Sequence, residues 1–330
     1  MSSLSISLSS IQDRILRYIF PISLTLGIIG NLFIIIIFTR KHHRKNPCSL
    51  YLLVASLFSI IGVSWGIGSN MYASYYPPDP FTQSLFLCRF RAFILQSSIL
   101  IYKIVITLAC IDRFALCSTN IRIRSFSTSK MSIKVIIVGI LFGLFISIHL
   151  PLNQTIQNNR CFVIGTYGLF FSIYQICIYG LILPIIQIIF AVLIAKNLKK
   201  VRNRVQPQIQ SDNESRNVLS RRDMSLIKLV LAETIVGMTL TTFYPINRLY
   251  TVLTSNIPNK SVDQNAIESF LGFICLILLL YLNYCVNFYL YIIISKAFRH
   301  ELKRFILQVI KRQDREHTTN GSLGPIQRRI

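Results

Sequence analysis

Residues 88–114 read CRFRAFILQSSILIYKIVITLACIDRF. A cysteine in a polar, basic setting opens the stretch, apolar residues fill it, and Asp112-Arg113-Phe114 closes it at a basic boundary. Some 24 positions separate Cys88 from Asp112, about 36 Å as a helix, slightly more than a bilayer core of roughly 30 Å. One helix therefore holds a cysteine beyond one face of a membrane and an Asp-Arg pair at the other.

The whole chain suits that solvent. Of its 330 residues 52% are hydrophobic and only 14% charged, with a mean hydropathy of +0.54. So few charges would leave a soluble domain short of surface, so a polytopic membrane protein is expected. The formal charge of +23 does not point to nucleic acid, because the lysines and arginines lie between apolar runs, as orientation signals do. Eight cysteines show neither CxxC pairs nor His/Cys ligand spacing, so no metal and no disulfide scaffold is expected.

Seven apolar runs follow one another, at about 17–39, 48–73, 85–117, 131–152, 166–197, 222–254 and 266–294. Residues 1–16 are Ser-rich, lack the marks of a signal peptide, and are read as an uncleaved extracellular tail. Residues 295–309 carry Phe298, Leu302, Phe305 and Ile306 at helical spacing beside a basic face, which predicts a short amphipathic helix on the membrane surface. Residues 310–330 are read as a cytoplasmic tail. The expected fold is an all-α seven-transmembrane helix bundle with that eighth helix.

Seven spans put the termini on opposite sides. Of 35 Lys and Arg residues, 27 fall on the C-terminal side, seven on the other, and Lys103 lies within a span. The positive-inside rule then places the C-terminus in the cytoplasm and the N-terminus outside. With that orientation Cys88 and Cys161 both face an oxidising compartment. The sequons at Asn153 and Asn259 face outward as glycosylation candidates.

Particular residues add a resemblance. Asp112-Arg113-Phe114 ends the third run, and Asn46-Pro47-Cys48-Ser49-Leu50-Tyr51-Leu52-Leu53 opens the second. Pro184 lies in the fifth run and Phe243-Tyr244-Pro245 in the sixth. Asn287 and Tyr291 close the seventh, with Phe298 seven positions on. Over about residues 17–309 the chain resembles rhodopsin-like (family A) G protein-coupled receptors, most nearly the invertebrate neuropeptide receptors.

The resemblance implies a multi-pass plasma-membrane receptor that binds an extracellular ligand and activates a heterotrimeric G protein, with no enzymatic step and no cofactor. It implies a Cys88–Cys161 disulfide and a G protein contact at Asp112, Arg113 and Phe114. It implies switch positions at Asn31, Pro184, Phe243, Pro245, Asn283, Asn287, Tyr291 and Phe298. By position, Gln96, Ile99, Ile246, Asn247, Tyr250, Phe273, Ile277 and Tyr281 would line a ligand pocket with Phe243 at its floor. Asp79, Asp263 and Glu268 above that pocket suit a basic peptide. The alternative is a chemosensory seven-helix protein or ligand-gated channel without G protein.

Departures from the family pattern carry expectations of their own. Phe114 replaces a Tyr, Phe288 a Pro and Leu95 the Asp of amine receptors. Ser59 stands where a buried Asp is usual in that family and helps hold a sodium ion, so agonist affinity is expected to be insensitive to sodium. Ser225 stands at the helix-six position that often pairs with Arg113, so that lock is expected to be missing and basal activity raised. Intramembrane Lys103 is a functional candidate by default, with Glu233 as a candidate partner.

Overall fold

The computed structural model describes residues 2–40, 43, 46–118, 120–157, 160–163, 165–204, 221–254, 257 and 260–321. Among them, seven helices are long and apolar enough to cross a membrane. The first, α1, runs Ser3–Phe38. Ser2 caps it, its hydroxyl accepting the Ser5 N–H at 3.2 Å. The tail expected over residues 1–16 is therefore helical over Ser3–Arg14, and a π turn at Ile15–Ile19 joins it to the apolar span. The physical reason lies in spacing: Ser5, Leu8, Gln12 and Ile15 are half-buried at positions that share one helix face. That first stretch packs against the outer end of the seventh span.

Asn46, Ser84 and Thr128 cap the next three helices, each side chain accepting a first-turn N–H. These are α2 (Pro47–Tyr75), α3 (Leu85–Cys117) and α4 (Ser129–Leu152). A small antiparallel hairpin follows, β1 (Thr155–Gln157) against β2 (Arg160–Phe162), with Ile156 opposite Cys161. Helix α5 spans 165–204, with a π stretch at Ile176–Ile182 just before Pro184. Proline has no N–H for the carbonyl one turn back, and a π stretch is one way a helix absorbs that loss.

Helix α6 spans 221–254 and is interrupted at Thr242, three residues before Pro245. Helix α7 spans 262–294, with a π stretch at Phe273–Leu279 and a break at Val286. The break forms with Phe288, not a proline, two residues after it. Helix α8 runs Lys296–Gly321, longer than the expected 295–309 and covering part of the expected tail. Phe298 is buried among the rings of Phe38, Phe288 and Tyr291, and Phe305 faces Phe33, so α8 is seated on α1 and α7.

The core lies between α1, α2, α3, α6 and α7, where Ile34, Leu52, Val63, Ile101, Val105, Ala109 and Val230 are fully enclosed. Outside it, apolar side chains face outward, including Phe145 at 72% and Ile185 at 50% exposure. Such a belt fits lipid, not water. Lipid removes the hydrophobic drive between helices, so close contact must come from small residues and shape. Gly66 shows this: a Cβ there would collide with the ring of Tyr281. Gly66→Val is expected to lower stability by roughly 1–3 kcal/mol through overpacking. Thermal denaturation of purified protein checks this, and Tyr281→Ala should restore part of the loss. An unchanged midpoint would show that α2 and α7 do not meet at Gly66.

Candidate functional site

The chemistry-bearing side chains collect at three levels along α3. At one end, Cys88 and Cys161 are bonded (S–S 2.00 Å, Cα–Cα 5.8 Å), fastening the β-hairpin to α3. Peptide mapping without reduction is expected to recover these two cysteines linked. Recovery of both as alkylated free thiols would contradict the arrangement. Asn153 is exposed in the turn after α4, and its amide donates to the His149 carbonyl at 2.8 Å. Asn259 lies outside the described residues.

Below the hairpin is a cavity of about 300 Å³. Of the expected lining, Gln96, Ile99 and Tyr281 are present, together with Leu95, Gln175, Tyr179, Thr241 and Tyr244. Gln96 donates to the Tyr179 hydroxyl at 3.1 Å, and the Tyr244 hydroxyl donates to Gln175. Helix six faces the cavity with a different residue from the one expected. Phe243 and Ile246 are 51% and 58% exposed, and Tyr250, 42% exposed, donates its hydroxyl to Glu268 of α7 at 3.1 Å, while Tyr244 is buried. Adjacent helical residues point about 100° apart, so an offset of one residue replaces Phe243 by Tyr244. Asn247 faces Gly272 of α7, and Phe273 stacks on Phe20 of α1 at 5.9 Å, so neither belongs to the cavity. The side chain of Ile277 lies outside those described.

The acids expected above the pocket are occupied. Asp79 accepts the Phe81 N–H at 2.9 Å, and Asp263 accepts from Ser2. Glu268 pairs with Lys260 at 2.6 Å. Among the described residues, no carboxylate lines the cavity.

At the middle level stands the buried acid that the sequence offered as a candidate partner of Lys103. Glu233 of α6 is buried. Its Oε1 accepts from the Tyr102 hydroxyl at 2.9 Å and its Oε2 from the Tyr291 hydroxyl at 2.6 Å. Asn287 Nδ2 donates to Tyr102 at 3.2 Å. One carboxylate thus ties α3, α6 and α7 together. Ser59 instead donates to the Ala55 carbonyl of its own helix. Lys103 Nζ donates to Thr241 Oγ1 at 2.9 Å, and it forms no ion pair with Glu233. Both amide atoms of buried Asn283 are without a hydrogen-bond partner. Asn31 donates to the carbonyls of Gly27 and Tyr284, each at 2.8 Å, and so clamps α1 to α7 two residues before the break at Val286.

At the opposite end of α3 Arg113 is fully buried. Its Nε and Nη2 donate to Asp112 Oδ2, the former at 3.1 Å, and Ser127 donates to the other oxygen at 2.8 Å. Its Nη1 lies 3.7 Å from Asp223 Oδ1 of α6. The lock expected to be missing at Ser225 is therefore present two residues earlier. Asn46 Nδ2 steadies Asp223 at 2.9 Å, while Ser225 shares a 2.6 Å hydrogen bond with Ser295. Phe114 packs on Phe190 of α5 with ring centroids 5.4 Å apart. Pro245 packs against Gly180 of α5.

Chemically, the arrangement sets three polar groups along α3: Lys103 with Thr241 at the cavity, the Glu233 cluster in the middle, and the buried Arg113 with its two acids at the far end. Sequence reasoning missed Tyr244, Gln175, Tyr179 and Asp223. Tyr244 and Asp223 each stand within two residues of a position it had chosen, and rotation about the helix axis separates the two choices. No protein-family model matches the chain, and no curated protein matches it. Fold and spans define it as a multi-pass, seven-helix membrane protein.

Proposed function

We propose that the chain is a rhodopsin-like G protein-coupled receptor of the plasma membrane. It binds an extracellular ligand in the cavity beneath the hairpin and activates a heterotrimeric G protein at the opposite face. The observation that carries this reading is Arg113, buried and held between Asp112 of α3 and Asp223 of α6. A permanent charge in such a place is costly unless paired. An outward swing of α6 would separate Asp223 from it and free the guanidinium for a partner's backbone carbonyls. The bias of lysine and arginine supports placing this end in the cytoplasm, and the disulfide at the other end of α3 agrees with an oxidising exterior.

Nucleotide exchange on a panel of G proteins tests the reading. Wild type is expected to accelerate exchange, and Arg113→Ala to lose that acceleration while reaching the cell surface in similar amount. Full exchange by the variant would reduce Arg113 to a topology charge. Ion current without exchange would favour a channel.

A further inference from the structure

We propose that the cavity recognises an acidic ligand: a carboxylate on an elongated, mostly apolar body, with the acid group seated at Lys103. The inference deepens the receptor reading and rests on it for the consequence of binding, though not for binding itself.

Two cations line the cavity, Arg91 and Lys103, and among the described residues no carboxylate does. Twelve positions apart on α3, they mark its mouth and floor, about 18 Å from one another at 1.5 Å per residue. Leu95, Ile99 and Leu280 line the space between, which suits an apolar body. Arg91 sits over the Phe81 ring at 5.0 Å and, like Lys103, has no carboxylate within ion-pair distance among the described residues.

Lys103 has the stronger demand. It is only 7% exposed, and a buried ammonium is costly without an anion beside it. Thr241 takes one of its three N–H groups, and both oxygens of Glu233 already accept tyrosine hydroxyls. Donors therefore remain on Lys103 with no carboxylate at ion-pair distance among the described residues, Glu233 acting on it only from farther away. A ligand carboxylate would meet them, and would compete with Thr241 for Nζ. Thr241 is the last residue before α6 is interrupted, so the ligand would act on α6 at its weakest point. Arg91 at the mouth would attract the acid on entry.

Such a carboxylate has two sources, a free fatty acid or the unamidated C-terminus of an apolar peptide. Binding to the full-length protein in lipid nanodiscs separates them, using dodecanoate against dodecanamide, and an apolar pentapeptide acid against its amide. In at least one pair the acid is expected to bind about tenfold tighter or more, as a charge-assisted contact provides. That preference should vanish in Lys103→Gln, persist in Lys103→Arg and weaken in Arg91→Gln. If Lys103→Gln does not fold, Arg91→Gln and Lys103→Arg carry the comparison. Equal binding of acid and amide, binding of neither acid, or a preference untouched by these variants would overturn the proposal. Acid-selective binding without nucleotide exchange would overturn the receptor reading and leave the site standing.

Discussion

Glu233→Leu is expected to be the most damaging single change in the polar core. It removes the acceptor for two buried hydroxyls, Tyr102 and Tyr291, and each buried donor left unsatisfied costs about 1–3 kcal/mol. Thermal denaturation should register a clear fall in midpoint. Glu233→Gln keeps the shape and one acceptor, so its loss should be much smaller. Under the proposed function the same change releases α6 from α3 and α7, so basal nucleotide exchange should rise. Because the three side chains act through one carboxylate, Tyr291→Phe should add little in the Leu background. A Leu variant as stable as wild type would show that the tyrosines find other acceptors and that Glu233 ties nothing together.

Asp223→Asn should act almost purely on the conformational balance. The pair is 3.7 Å long and Asp223 is 22% exposed, so water moderates it. Its contribution should lie between that of an exposed pair, at most about 1 kcal/mol, and the several kcal/mol of a buried one. A difference of about 1–2 kcal/mol corresponds to roughly 5- to 30-fold in a two-state equilibrium. Basal exchange is expected to rise by a factor in that range, with surface expression retained. Ser225→Ala, at the position the family pattern singles out, should change it far less. The reverse ranking would return the lock to Ser225 and leave Asp223 as a solvated charge near the membrane face.

Reading a motif position by position treats each helix as carrying its own share of a site. Here α6 supplies a buried carboxylate, Glu233, and Tyr102 of α3 reaches across to it. Lys103 lies next to Tyr102 in sequence yet donates to a different residue of α6, Thr241.

Sequence alone determined the number of spans, because a bilayer admits only apolar helices of sufficient length and the chain punctuates them with charge. It likewise fixed that Asp112 and Arg113 end a helix begun near Cys88, because rise per residue is constant. Tertiary structure decided everything that depends on rotation about a helix axis. Rotation about the axis is set by contact with the neighbouring helices, so only packing selects Tyr244 over Phe243 and Asp223 over Ser225. Tertiary contact decided the N-terminal segment too. Its Ser-rich residues 3–14 read as tail because their sheltered face is half polar, and they are ordered by a cap at Ser2 and by the outer end of α7, a partner some 260 residues away.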